Sequence, residues 1–92
     1  MTREIIAAAL EAEGLKGGQS IAVPEGRDAT FFVGAPGEVL NVPKVVKLEL
    51  RDQYLYLQSG KDERFFFAYE DVLGFRMIGA ATARERPAGF AR

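Results

Sequence analysis

The 92-residue chain reads as an α+β domain: an N-terminal helix packed on a twisted antiparallel β-sheet or small, partly open β-barrel, with a flexible C-terminal tail. Three observations carry that reading. Apolar residues recur at helical spacing in the first thirteen positions, and from Ser20 onward short apolar runs alternate with Gly, Pro and acidic turn residues. Between Val45 and Tyr69 three successive segments follow a period of two, and their apolar sides coincide when they are folded back as hairpins. At 10.1 kDa the chain can build one core, so residues 1–79 form a single domain and 80–92 a mildly basic tail.

The helix is expected over Thr2 to Glu13. Thr2 can cap the free N–H groups, Ile5, Ile6, Ala9 and Leu10 form the apolar face, and Gly14 followed by Leu15 makes a Schellman stop. The stretch from Gly14 to Ser20 is read as a linker. Its glycines follow a helix C-terminus, whose dipole repels phosphate, so it is not a phosphate loop. Short strands then follow at Ile21 to Val23, Thr30 to Val33 and Val39 to Val42. Pro24, Pro36 and Pro43 mark their ends, since proline donates nothing to a ladder.

From Lys44 to Leu50 the alternation places Val46, Leu48 and Leu50 on one face and Lys47, Glu49 and Arg51 on the other. A two-residue turn at Asp52-Gln53 sets Leu50 opposite Leu55 and Leu48 opposite Leu57. A three-residue turn at Gly60-Lys61-Asp62 sets Leu57 opposite Phe65 and Leu55 opposite Phe67. Leu48, Leu50, Leu55, Leu57, Phe65, Phe67 and Tyr69 therefore make a core side, and a slip of one residue in either pairing would press charge against it. The run Phe65 to Tyr69 is aggregation-prone when open, which predicts an inner or paired strand gated by Arg64 and by Glu70-Asp71. Phe75, Met77 and Val72 supply a closing strand, and Ala80 to Glu85 offers a short helical alternative to the flexible tail. The hairpins, the aromatic strand and the corner Tyr69-Glu70-Asp71-Val72-Leu73-Gly74-Phe75 resemble the later strands of pleckstrin-homology-like bacterial barrels over residues 45–78. The closing helix of that family falls where this chain has Pro87 and polar residues, and a likeness of fold assigns no function.

Composition narrows the chemistry. Apolar residues at 48% and charged ones at 27% exclude wholesale disorder, and 12 basic against 13 acidic residues exclude a generally basic nucleic-acid glove. The chain has no Cys, His or Trp, which removes thiol and imidazole catalysis, disulfides and the usual zinc sites. Ser20 and Ser59 lie in glycine-rich turn sequence, and the pairs Asp62-Glu63 and Glu70-Asp71 flank turns. No catalytic residue, metal or cofactor is expected. Apolar runs far shorter than the ~20 residues of a membrane span, a helix with Arg3 as its only cation, and a start without a secretory stretch predict a cytoplasmic protein that avoids membranes.

The reverse side of the meander interleaves cations with aromatics: Lys47, Gln58 and Arg64 in one row, Glu49, Tyr56 and Phe66 in the next, Arg51, Tyr54 and Ala68 in a third. Three readings compete for it. The helix covers it, with the apolar side closing as a barrel interior. Alternatively it is a protein-binding or self-association surface, for which Tyr and Arg are favoured anchors. In the third reading it stacks nucleotides, a small ligand or single-stranded nucleic acid on Tyr54, Tyr56 and Phe66, with phosphates at Lys47, Arg51 and Arg64. Near-neutral charge disfavours nucleic acid, and Arg64-Phe65-Phe66-Phe67 lacks the glycine and the βαββαβ setting of an RNA-recognition strand. The expectation is a non-catalytic regulatory or adaptor module that binds a protein partner and self-associates through the outer face or an edge of the meander, a dimer being favoured. Its partner-binding residues are Lys47, Arg51, Tyr54, Tyr56, Arg64 and Phe66.

Overall fold

The structure is a computed structural model that describes residues 1–15 and 18–79. Lys16, Gly17 and the expected C-terminal tail, with its helical alternative, lie outside the described residues. The order of elements is α1 (Arg3–Ala12), β1 (Ser20–Ala22), β2 (Asp28–Ala35), β3 (Glu38–Val42), β4 (Val45–Leu50), β5 (Leu55–Ser59), β6 (Arg64–Phe67), a 3-10 turn (Tyr69–Asp71) and β7 (Val72–Ile78). The strands form two antiparallel sheets, ordered β1-β4-β5-β6 and β3-β2-β7, with α1 packed on both and no closed barrel.

Both ends of α1 follow from single residues. The Thr2 hydroxyl accepts the Ile5 N–H at 3.1 Å, satisfying one of the helix's free donors. Gly14 takes φ 82°, and the N–H groups of Leu15 and Gly14 return to the carbonyls of Leu10 and Glu11, each at 2.9 Å. This is the Schellman pattern, and its apolar clasp of Leu10 with Leu15 is buried. Ile5, expected on the apolar face, is 53% exposed; Ile6 and Leu10 alone of the helix are fully buried, because the packed stripe runs through i and i+4.

The meander adopts the register that the alternation requires. Leu48 faces Leu57 and Leu50 faces Leu55; Leu57 faces Phe65 and Leu55 faces Phe67. The first turn closes through Arg51 N–H to the Tyr54 carbonyl at 3.1 Å, the second through Ser59 N–H to the Glu63 carbonyl at 2.9 Å, with Asp62 at φ 64° taking the left-handed position of a three-residue loop. One expectation is corrected within β4. The register shifts between Val45 and Lys47, so Val45 is buried and Val46, expected inward, is 43% exposed. An extra residue on one strand reverses the faces on its N-terminal side, and alternation read from Leu48 backwards does not detect it.

Leu48, Leu50, Leu55 and Leu57 share one core with Ile6, Leu10, Leu15, Ile21, Phe31, Val42 and Val72. Each buried leucine contributes roughly 1.5–3 kcal/mol, so this layer holds helix and sheets together. The helix thus occupies the leucine side of the meander. The reading in which it covers the reverse side, with the leucines closing a barrel interior, is overturned: Ile6 and Leu10 need an apolar partner, and the leucine side supplies more of it than the charged one.

Candidate partner-binding surface

The outer face of the β1-β4-β5-β6 sheet is built by the residues that alternate with the buried leucines. Opposite neighbours run Ser20, Glu49, Tyr56, Phe66 in one row and Ala22, Lys47, Gln58, Arg64 in another. Phe66 is 61% exposed, with ring centroids 5.2 Å from Tyr56 and 5.7 Å from Tyr54 at tilted interplanar angles of 53° and 60°. Tilted packing of this kind suits the quadrupoles of aromatic rings. Tyr54 and Tyr56 are half-buried against their neighbours, so the cluster is a fixed ridge with one ring projecting.

All six sequence-derived candidates lie on this face, but they fall into two groups. Tyr54, Tyr56 and Phe66 touch as one cluster. Lys47 and Arg51 flank Glu49, with Lys47 Nζ 3.5 Å and Arg51 Nη1 3.7 Å from its carboxylate oxygens. The Arg51 guanidinium pKa is raised, first by hydrogen bonding to Tyr54, then by the charges of Tyr54 and Glu49. Arg64 stands apart, separated from Lys47 by Gln58 and within 3.9 Å of Asp62 in the adjoining turn.

Two residues of this surface were not among the candidates. Glu49 ties the cations of β4 together, and Gln58 links Asp62, through Nε2 to Oδ1 at 3.2 Å, with the Tyr56 hydroxyl, 3.4 Å from its Oε1. Both occupy the same alternating register as the candidates, and that register is the signal that identifies them.

Concavities also lie elsewhere among the described residues. A recess of about 110 Å³ is lined by Val42, Pro43, Ser59, Glu63 and Phe65 among others. An open groove of about 430 Å³ lies between α1 and β7, beside Met1, Ala9, Phe75 and Met77. Among the described residues no three acidic side chains converge on a point that would hold a metal ion, and no helix is long and apolar enough to cross a membrane. The Ser59 hydroxyl accepts the N–H groups of Lys61 and Glu63 at 3.2 and 3.3 Å and serves the turn.

No protein-family model matches the chain, and neither a curated protein nor a solved structure shows significant similarity to it. The functional reading therefore rests on the chemistry of this face.

Proposed function

We propose that the chain is a non-catalytic protein-binding module of the cytoplasm, regulatory or adaptor in role, which engages a polypeptide partner and self-associates through the outer side or an edge of its β4-β5-β6 meander. The observation that supports this reading is the Phe66 ring, exposed beside Tyr54 and Tyr56 on a sheet face that the helix leaves open. A rigid aromatic cluster offers large contact area at small cost in side-chain freedom, and Arg and Lys around it form a polar rim.

Polypeptide is favoured over nucleotide or single-stranded nucleic acid by Glu49. A phosphate approaching Lys47 and Arg51 together would meet the carboxylate already held between them. The partner patch that fits is apolar at its centre, with acceptor groups placed toward Lys47 and Arg64.

The test is site-specific photo-cross-linking in cells, with benzoylphenylalanine at Phe66 and, for comparison, at Ala8 on the exposed side of α1. Discrete protein adducts are expected from position 66 and not from position 8. Equal labelling at both positions, or adducts to nucleic acid alone, would refute the reading.

A further inference from the structure

In the two-sheet arrangement β6 is the last strand of its sheet, paired with β5 on one side only. Backbone groups of an antiparallel strand point alternately to its two neighbours. Ser59 N–H donates to the Glu63 carbonyl and Arg51 N–H to that of Tyr54, so Leu55, Leu57 and Ser59 direct their groups to β6, and Phe65 and Phe67 answer from it. The N–H and C=O of Arg64 and Phe66 therefore point away from the sheet, and no backbone group of the described residues meets them. Three consecutive phenylalanines stand on this open edge, and none of them is fully buried. An edge of that composition is a template for another strand.

We infer that β6 pairs antiparallel with β6 of a second copy of this chain, about a two-fold axis through Phe65. The inference deepens the proposed function and rests on it for the claim of self-association. In this register Arg64 of one copy faces the partner's Phe66, and each such pair exchanges both backbone hydrogen bonds, so every outward group of the two residues is satisfied. The Arg64 guanidinium then lies beside the partner's Phe66 ring, where cation and π-face are complementary. On the inner side the partner's Phe67 falls opposite Glu63, which lines the 110 Å³ recess together with Phe65, Val42 and Pro43. An apolar cavity of roughly 150 Å³ takes benzene, so this recess accommodates the exposed edge of a Phe67 ring that stays stacked, with centroids 6.0 Å apart, on Phe65 of its own chain. Knob and hole are carried by the same strand and its neighbours, as an isologous contact requires, and an unrelated strand would bring no matching ring.

Light scattering of the intact chain is expected to give twice 10.1 kDa. Phe66→Pro deletes an outward donor that β5 does not use, so it should return the mass to 10.1 kDa while keeping a cooperative melt. The chain has no cysteine, so Phe65→Cys can form only an interchain disulfide. Across the axis the two Cα atoms of a non-hydrogen-bonded pair stand ~4.5 Å apart, within disulfide reach. Phe66→Cys places its two copies more than ~7 Å apart and should not cross-link. If Phe66→Pro does not fold, the cysteine pair decides. A wild-type monomer at every concentration up to millimolar, a dimer indifferent to Phe66→Pro, or cross-linking at 66 rather than 65 overturns the inference. A monomer whose Phe66 still labels other proteins leaves the partner-binding part of the outer-face reading intact and removes self-association together with the edge pairing.

Discussion

Arg27 closes the C-terminal end of α1 by gripping Glu13 twice: Nη1 donates to the Glu13 carbonyl at 2.7 Å, and Nη2 donates to its carboxylate. The Arg27 side chain is 5% exposed, whereas that of Glu13 is 41% exposed. The main-chain contact satisfies a helix-end carbonyl that would otherwise lack a donor, and it pins α1 to the loop entering β2. The buried Nε of Arg27 finds no acceptor among the described residues, which reduces the net gain below that of the two bonds.

Replacing Arg27 with Met keeps the apolar stem and removes both contacts. A loss of about 2–3 kcal/mol is expected. Glu13→Gln keeps the carbonyl contact and alters only the exposed carboxylate, so its cost should stay under ~1 kcal/mol. Urea denaturation of both variants checks the ordering; equal losses would show that the ion pair, not the carbonyl contact, anchors the helix.

The two phenylalanine environments predict opposite stability effects. Phe31 is fully buried and stacked on Phe75 with centroids 5.0 Å apart, so Phe31→Ala should cost about 3–5 kcal/mol. Phe66→Ala removes a mostly exposed ring and should cost under ~1 kcal/mol in the isolated subunit, measured at concentrations low enough to dissociate any oligomer. A loss at Phe66 comparable with that at Phe31 would make it a packing residue and count against the outer-face reading.

Gly79 and Gly74 differ in what a methyl group would meet. At Gly79, φ is 104° and an added Cβ would sit 2.8 Å from the Gly26 carbonyl oxygen, so Gly79→Ala should destabilise by more than ~1 kcal/mol. At Gly74 an added Cβ meets nothing within 4 Å among the described residues. Gly74→Ala in strand β7 should therefore be neutral or stabilise by about 0.4–1 kcal/mol, through loss of unfolded-state freedom. Thermal melts of the pair should move in opposite directions, or at Gly74 not at all.

Burial pushes the Tyr69 hydroxyl pKa above its ordinary value, against the opposing influence of Arg3, and the hydroxyl donates to the Arg51 carbonyl at 2.5 Å. The folded pKa thus exceeds the unfolded one. Its contribution to stability is complete below about pH 10 and is lost as pH rises through the folded value. In an ultraviolet titration, Tyr69→Phe should remove a phase lying above the ordinary phenol value and cost about 0.5–1.5 kcal/mol at neutral pH. Loss of a phase at the ordinary phenol value instead would show that Tyr69 ionises as an open phenol.

The sequence by itself determined the meander register and the helix stop. Leu48, Leu50, Leu55, Leu57, Phe65 and Phe67 can share a side in one pairing only, because a one-residue slip inverts every side chain. Gly14 and Leu15 end α1 through bonds made within six residues, so nothing distant is needed. The six candidate residues of the outer face were legible for the same reason, as the complement of the leucines. What only the tertiary structure decided is which faces meet: α1 on the leucine side, the division into two sheets, the bulge that buries Val45 and turns Val46 outward, and β6 at an edge with its three phenylalanines incompletely covered. Periodicity records that a face is apolar, but burial belongs to pairs of faces contributed by distant parts of the chain, and their choice depends on total area and fit that no local pattern contains.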